Sequence, residues 1–170
     1  MKNSIFLSLL FIGVAVSSCH KPNGATSGGS WTFKSTTYTA SFCSYILGGL
    51  CASTETSTPS GTLTFYFPDT IARAGTYTIV NSYGNNLFIP AGHVYIQLTD
   101  TARTNIYIPT ASATTTQVTV TISNDSIPTV SLPPIMMVNV QNQTLAPLQG
   151  YPSGTDSGLL TGKITQTLLN

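Results

Sequence analysis

The chain has 170 residues, which is long enough for one domain with its own hydrophobic core. Lys, Arg, Asp and Glu together make up only 6% of it, and the formal net charge is +1, whereas a typical soluble domain is about 25% charged. So few charges leave no basic stripe for nucleic acid and no acidic run for a basic partner.

The chain begins with the features of an export signal. Lys2 precedes an apolar run over 5–16, which has the length of a secretory signal core and falls short of the ~20 residues that span a bilayer. Residues 16–19, Val-Ser-Ser-Cys, resemble the bacterial lipobox. The resemblance implies removal of residues 1–18 and fatty acylation of Cys19, and such chains hold a protein on a membrane because each buried methylene contributes roughly 0.8 kcal/mol.

A short polar segment separates this site from the rest of the chain. Residues 20–30 contain Ala as their one apolar residue and are rich in Gly and Ser, which predicts a flexible linker. We therefore expect Cys19 and this linker to tether one domain that spans 31–170.

Two further cysteines, Cys43 and Cys51, form an even pair once Cys19 is assigned to the lipid. In an oxidising compartment such a pair is expected to form a disulfide, and Gly48 and Gly49 allow the hairpin or tight loop that this requires. The closed loop would stabilise the fold by about 2.5 kcal/mol in the chain-entropy model. A metal site is disfavoured, because two Cys with no nearby His or third Cys cannot complete a tetrahedral shell.

Apolar and polar residues alternate with a period of two along most of the domain, which predicts β-strands. The clearest alternations span 62–67, 76–79, 93–98, 105–108 and 117–122, and weaker candidates span 31–33, 38–42, 129–132, 135–140 and 160–168. Pro133 and Pro134 should interrupt pairing or lie on an edge. We therefore predict an all-β fold, an antiparallel β-sandwich of immunoglobulin-like or jelly-roll-like type, with a barrel as the alternative.

Threonine is abundant, and two explanations compete. Thr suits the solvent face of a strand, whereas Ser/Thr-rich segments also form glycosylated stalks. Most Thr residues here alternate with apolar ones, which favours strand faces.

One register follows if the apolar residues of two neighbouring strands face the same core. Ile96 then pairs with Ile106, and Tyr95 lies opposite Tyr107 on the outer face. A slip by one residue would turn one apolar set outward.

The same register predicts a polar outer surface with exposed tyrosines. Aromatic rings stack on the apolar faces of pyranoses while amides reach hydroxyl groups. Tyr is also simply a good strand residue whose cross-strand pairs stabilise a sheet. The candidate ligand-binding residues are Tyr66, His93, Tyr95, Gln97, Asn105 and Tyr107.

The lipobox, the polar linker and a Trp-x-Phe-Lys-x-x-x-Tyr opening resemble small lipoproteins of Bacteroidota. The residues that carry the resemblance are Trp31, Phe33, Lys34 and Tyr38, followed by strand patterns at 63–67, 75–77 and 118–124. The resemblance implies a one-domain β-sandwich anchored to the outer membrane and brings no activity with it. Exported surface members often carry acidic residues after the Cys, whereas residues 20–22 are His-Lys-Pro, so the resemblance implies the periplasmic face.

Catalytic patterns are scarce. His93 is the one residue suited to general base catalysis, but no Gly-x-Ser-x-Gly, His-Glu-x-x-His or paired carboxylates accompany it. The Asp residues are scattered, without a calcium-binding loop. We therefore expect a non-enzymatic envelope protein without cofactor, of structural, adhesive or carbohydrate-binding type, whose partners are the membrane and a glycan or another envelope protein. The alternative is a periplasmic hydrolase that uses His93.

All four Asp residues precede a hydroxyl residue. Three of these pairs resemble the Asp-Ser/Thr-apolar acceptor of Bacteroidota O-glycosylation, while Gly158 departs from the pattern after Ser157. The alternative is that Asp-Thr and Asp-Ser only begin turns, and Asp69 and Asp100 could each pair with an Arg a few residues later, at little energy. The predicted acceptors are Thr70, Thr101 and Ser126.

Overall fold

The computed structural model describes residues 28–46, 48–54, 59–69, 71–81, 89–100, 105–140 and 156–167. Over these ranges the chain is all-β, as predicted, with one short 3₁₀-helix over Ala111–Thr115. The strands are β1 (Gly29–Phe33), β2 (Thr36–Thr39), β3 (Phe42–Ile46), β4 (Gly49–Ser53), β5 (Gly61–Tyr66), β6 (Gly75–Val80), β7 (His93–Asp100), β8 (Ile106–Pro109), β9 (Gln117–Ile122), β10 (Pro128–Asn139) and β11 (Ser157–Thr165). Cys19 and the predicted signal segment lie outside the described residues.

The described strands pair in the order β2-β1-β11-β10-β9-β6-β7-β5-β4-β3, and β8 bridges β7 and β10. The pairs are antiparallel except β6 with β7, which run parallel, so the predicted antiparallel arrangement has this one exception. Past the end of β11, Thr167 pairs with β3: its backbone N–H donates to the carbonyl oxygen of Cys43 at 2.8 Å. The segment after β11 is thus brought next to β3, which lies at the other end of the pairing order, around one shared interior.

That interior is a single main core to which nearly every described strand contributes one face. Its largest fully buried side chains include Trp31, Phe65 and Leu63. Burying such a side chain contributes about 1.5–3 kcal/mol each, so the alternation seen in the sequence is the principal source of stability.

Strand β10 runs through the two prolines that were expected to disturb it. Leu132 pairs with Gly162, but Ile135 pairs with Leu160, so the register with β11 shifts at Pro133 and Pro134. Proline lacks the N–H that a ladder needs, and the chain accommodates the pair as a bulge within one strand.

The predicted register between β7 and β8 is wrong. Ile106 pairs with Thr99, three residues further along β7 than the predicted partner Ile96, and Tyr107 pairs with Leu98. Because side chains alternate between faces, an odd shift reverses the orientation of β8. Tyr107 therefore enters the main core, while Ile106 and its neighbour Ile108 face the other way.

The outward turn of β8 creates a second apolar cluster on the opposite face of the sheet. Its buried members are Ile89, Tyr95, Ile108 and Val138, with Tyr66, Val80, Ile106 and Val140 packed against them. The sheet thus has apolar side chains on both faces around β7 and β8, which explains why β8 can turn its isoleucines away from the main core and still bury them.

The predicted disulfide between Cys43 and Cys51 is absent, and both cysteines are free. Cys43 pairs with Ala52, whose side chain lies in the main core, and both are fully buried there. Cys51 is the next residue along β4, so its side chain lies on the opposite face. Burial raises the pKa of the Cys43 thiol to about 12 and also raises that of Cys51, so both are protonated and slow to oxidise at neutral pH.

Candidate functional site

The predicted tyrosine surface is only partly assembled. Tyr66 and Tyr95 are cross-strand partners with ring centroids 5.9 Å apart. Tyr95 is only 6% exposed and packs in the second apolar cluster. By strand alternation Gln97 lies on the same face as Tyr95 and is half-buried, whereas Tyr107 belongs to the main core. What remains of this surface is one half-buried ring, Tyr66, beside Gln97.

His93 lies at the start of β7 and is half-buried. Its Nδ1 lies 2.9 Å from the carbonyl oxygen of Ala91, and a backbone carbonyl neither accepts a reacting proton nor activates a nucleophile. Across the described ranges, no three His, Cys, Asp or Glu side chains are grouped so that they could share a metal ion.

A more complete site forms at the turn between β1 and β2. Phe33 pairs with Thr36, so Lys34 and Ser35 form a two-residue turn. Both have positive φ, 48° and 66°, as type I′ hairpin turns require, although Asn and Gly are the usual residues there. Holding two L-residues in this region costs of order 1 kcal/mol each and is common at functional sites.

The turn directs the Lys34 ammonium group across to two elements that are distant in sequence. It donates to the Asp156 carboxylate, in an ion pair, and to the Tyr107 hydroxyl at 3.2 Å. The Tyr107 hydroxyl in turn donates to Asp156 Oδ2 at 2.7 Å. The ammonium nitrogen also lies 4.8 Å and 5.4 Å from the ring centroids of Tyr107 and Phe33, a distance range in which cation–π attraction operates.

Two asparagines extend this network into the sheet. Asn139 is only 4% exposed, and its Nδ2 donates to Asn105 Oδ1 at 2.8 Å and to Asp156 Oδ2 at 3.3 Å. The backbone N–H of Asn105 donates to Asp100 Oδ1 at 3.2 Å, and its side-chain amide donates to the other carboxylate oxygen. A continuous set of hydrogen bonds therefore joins Lys34 to Asp100, and a satisfied network of this kind fixes the positions of its members.

The electrostatics of the network favour its charged form. The hydrogen bond from Lys34, followed by that from Tyr107, lowers the pKa of Asp156. Burial alone would lower the pKa of Lys34, but the hydrogen bonds to Asp156 and Tyr107 outweigh it and raise that pKa overall. Burial, followed by the hydrogen bond to Asp156, raises the pKa of Tyr107. At neutral pH the ammonium and the carboxylate are both charged and the phenol is neutral.

Beside the network lies a cleft of about 140 Å³, which we call the aromatic cleft. It is lined by Phe33, Lys34, Thr36, Tyr38, Asp100 and Tyr107, with Leu98 at its apolar side. Phe33 and Tyr107 meet edge to face with centroids 4.7 Å apart. Burial raises the pKa of Tyr38, and the charge of Asp100 raises it further while Lys34 lowers it, so both charges act on the Tyr38 hydroxyl.

Trp31 packs against Tyr38, one of the residues that line the cleft. Its ring stacks on Tyr38 with centroids 5.3 Å apart and planes within 3°. Its indole nitrogen is buried and has no hydrogen-bond partner among the described residues. Trp31 is the single Trp of the chain, so its fluorescence reports on changes at the stacked Tyr38 ring.

A shallower cavity of about 310 Å³ lies at the turn before β6, lined by residues that include Pro68, Ile71 and Gly75. The predicted Asp69–Arg73 ion pair is present there at 3.1 Å, with both side chains well exposed. Exposed pairs contribute about 0–1 kcal/mol, and Arg103, the predicted partner of Asp100, lies outside the described residues. The lining of this cavity combines apolar residues with this one exposed ion pair.

Of the predicted glycosylation sites, the structure describes Ser126. It is exposed in the turn between β9 and β10, where its backbone N–H donates to the carbonyl of Ser123 at 2.9 Å and its φ is 62°. Thr70 and Thr101 lie outside the described residues.

The sequence reasoning identified Asn105 and Tyr107 as candidate site residues but placed them on the wrong surface, and it missed Tyr38, Asp100, Asn139 and Asp156 as site residues. Lys34 and Tyr38 do occur in the opening motif, which was a usable signal. Nothing local marks Asp156, because its contacts to Lys34 and Tyr107 are 122 and 49 residues away in sequence.

Comparison of the chain with protein-family models, with curated proteins and with solved structures finds no match in any of the three. None of the helical structure in the described ranges is long and apolar enough to cross a bilayer.

Proposed function

We propose that this chain is a lipid-anchored protein of the cell envelope whose β-sandwich domain binds a glycan in the aromatic cleft and catalyses no reaction. The anchor is Cys19, in the lipobox-like sequence, and the periplasmic face of the outer membrane is the expected location. The domain then presents the cleft at the end of a tether formed by the polar linker.

The observation that carries the binding proposal is the composition of the cleft. Three aromatic side chains, Phe33, Tyr38 and Tyr107, line one small space together with the Lys34 ammonium and the Asp100 carboxylate. Aromatic rings stack on the apolar faces of sugars, while charged and hydroxyl groups bond to sugar hydroxyls. The predicted surface around Tyr66 offers fewer rings, since Tyr95 is buried.

The size of the cleft limits what it accepts. Pockets for drug-sized ligands usually measure about 300–1,000 Å³, whereas the aromatic cleft measures about 140 Å³. We therefore expect one terminal sugar residue to enter it, with the rest of the glycan outside.

The protonation states support binding over catalysis. A general acid or base works best with a pKa near the ambient pH. Here the pKa of Asp156 is lowered and that of Lys34 is raised, so both hold their charges across the physiological range. His93, the basis of the hydrolase alternative, bonds only to backbone within the described ranges.

Titration of the full-length protein in detergent with a panel of mono- and oligosaccharides, followed by Trp31 fluorescence, tests the cleft. We expect a saturable change in emission, because Trp31 stacks on Tyr38. Tyr38→Ala should abolish the affinity for the same sugar, measured by calorimetry, while Tyr66→Ala on the opposite face should leave it unchanged. Loss of affinity in Tyr66→Ala with retention in Tyr38→Ala would place the site on the tyrosine surface instead.

Phase separation in detergent tests the anchor. The wild-type protein from its own host should enter the detergent phase and Cys19→Ala the aqueous phase, because the acyl chains supply the membrane affinity. A Cys19→Ala protein that stays with the membrane would contradict the lipoprotein proposal.

A further inference from the structure

The outer face of six strands carries eleven hydroxyl side chains and one lysine in registered rows. The longest row crosses β2, β1, β11, β10, β9 and β6 through successive cross-strand partners. Its members are Thr39, Ser30, Lys163, Ser131, Thr119 and Thr76. Two shorter rows flank it, one of Thr37, Thr32 and Thr161 and the other of Thr165, Thr129 and Thr121. We call these twelve residues the hydroxyl face.

The face is separate from the aromatic cleft although two strands contribute to both. On β2, Tyr38 points to the core side and lines the cleft, while Thr37 and Thr39 are exposed on the other side. A ligand on the hydroxyl face therefore makes no contact with the cleft.

The geometry of the face is regular and ordered. Adjacent strands lie about 4.8 Å apart, so the long row places six side chains over roughly 24 Å. Neighbouring hydroxyls are held together: Thr32 Oγ1 lies 3.1 Å from Thr37 Oγ1, and Thr129 Oγ1 lies 3.1 Å from Thr165 Oγ1. β-branched side chains have few rotamers, so a ligand that bonds to these hydroxyls loses little side-chain entropy on binding.

The chemistry of the face selects among partners. Lys163 is its single charged residue, which is too little for a nucleic acid or an anionic lipid surface. Protein interfaces are enriched in aromatic residues, Met and Arg and depleted in Ser, and none of the twelve residues is aromatic. What the face offers is rows of neutral donors and acceptors at a spacing close to the length of one pyranose ring, flanked by the exposed cross-strand pair Met136 and Leu159.

We infer that the hydroxyl face binds a neutral linear polysaccharide laid along the rows, where successive sugar hydroxyls meet successive strands. The apolar pair Met136 and Leu159 contacts the apolar face of a sugar ring at the flank. This site is independent of the aromatic cleft. It gives the envelope protein a second place at which to bind a polysaccharide layer.

Co-sedimentation of the full-length protein in detergent with insoluble cellulose, chitin and starch granules tests the inference. We expect binding to at least one of these that persists in 0.5 M salt, because no ion pairs are involved. The double variant Thr76→Ala with Thr119→Ala should reduce the affinity roughly tenfold, since each lost hydrogen bond costs about threefold.

Two matched controls separate the possible outcomes. Ser112→Ala with Thr115→Ala removes two exposed hydroxyls of the 3₁₀-helix that are not members of the face, and should leave binding unchanged. A soluble monosaccharide that saturates the cleft should also leave this binding unchanged, which distinguishes the face from the cleft. Failure of the wild type to bind any of the three polysaccharides, a loss of binding in salt, or equal losses in the face and helix variants would overturn the inference. An unchanged thermal midpoint in each variant excludes unfolding as the cause.

Discussion

Replacing Tyr107 by Phe removes one hydroxyl from the network and changes nothing else in the shape of the core. This hydroxyl accepts a hydrogen bond from Lys34 and donates one to Asp156, and the ring is 5% exposed. Hydrogen bonds to charged groups contribute about 1.5–3 kcal/mol. Because the Asp156 side chain is half-exposed, we expect the lower end, about 1.5 kcal/mol, or a fall in Tm of roughly 3–6 °C for a domain of this size.

The effect of Tyr107→Phe should depend on pH with a defined sign. The pKa of Asp156 is lowered from its ordinary value of 3.8 in the folded protein, so its bonds contribute stability that is present above that value. The contribution is lost as the pH falls through the lowered pKa. The difference between wild type and Tyr107→Phe should therefore be full at pH 7 and shrink at pH values below 3.8.

Urea unfolding followed by Trp31 fluorescence at pH 7 and at low pH measures this difference. Tyr77→Phe is a matched control, because Tyr77 is also a buried ring whose hydroxyl, among the described residues, bonds to the backbone of Arg73 alone. Its cost should stay the same at both pH values. A Tyr107→Phe cost that is independent of pH, or absent at pH 7, would show that the hydroxyl is not coupled to Asp156.

Four further predictions concern separate parts of the chain. In the native protein Cys43 and Cys51 should react slowly with a thiol reagent and both should react in denaturant, whereas a mass two daltons lower than the reduced form would reveal a disulfide. Gly29→Ala should destabilise the domain by more than about 1 kcal/mol in chemical unfolding, because φ is +89° and the new Cβ would lie 2.1 Å from the Lys163 carbonyl oxygen; an unaffected midpoint would contradict this. Ser35→Gly should stabilise by about 0.5–1 kcal/mol, since Gly adopts the positive φ of the turn without strain, and a loss of stability would show that the turn is unstrained. Intact mass of protein from its own host should exceed that of the lipidated chain, and peptide mapping should locate the added glycans at Thr70, Thr101 and Ser126.

Strand positions could be predicted because the core demands alternation, but the register of β8 could not. The prediction assumed that only one face of the sheet is apolar, so that Ile106 and Ile108 had to face the main core. In the structure both faces are apolar near β7, and the isoleucines are buried in the second cluster while Tyr107 enters the main core. Hydrophobic alternation fixes the register only where the opposite face is polar.

The cysteine pair is a second case in which the sequence predicts the strands correctly and their register wrongly. A hairpin between Cys43 and Cys51 was expected, and β3 and β4 form one. Ile46 pairs with Gly49, so the loop has two residues and Cys43 faces Ala52. A loop of three residues would have placed Cys43 opposite Cys51 on one face. The spacing of two cysteines does not determine whether the loop between them has an even or an odd number of residues. That number decides whether the two cysteines face each other across the hairpin.

The two proposed binding surfaces differ in how many charged side chains they carry. The chain has five acidic residues, and two of them, Asp100 and Asp156, belong to the single hydrogen-bonded network that includes Lys34. The long row of the hydroxyl face, by contrast, spans six strands with one charge. A buried or half-buried charge is tolerated only when it is paired and hydrogen-bonded, so gathering charges at the cleft requires the Asn105 and Asn139 amides beside them. On the proposed function, the two amides hold Asp156 and Asp100 in place beside the cleft. The same argument predicts that Asn139→Leu, which removes the amide and keeps the branched heavy-atom skeleton, weakens sugar binding in the cleft more than binding to insoluble polysaccharide.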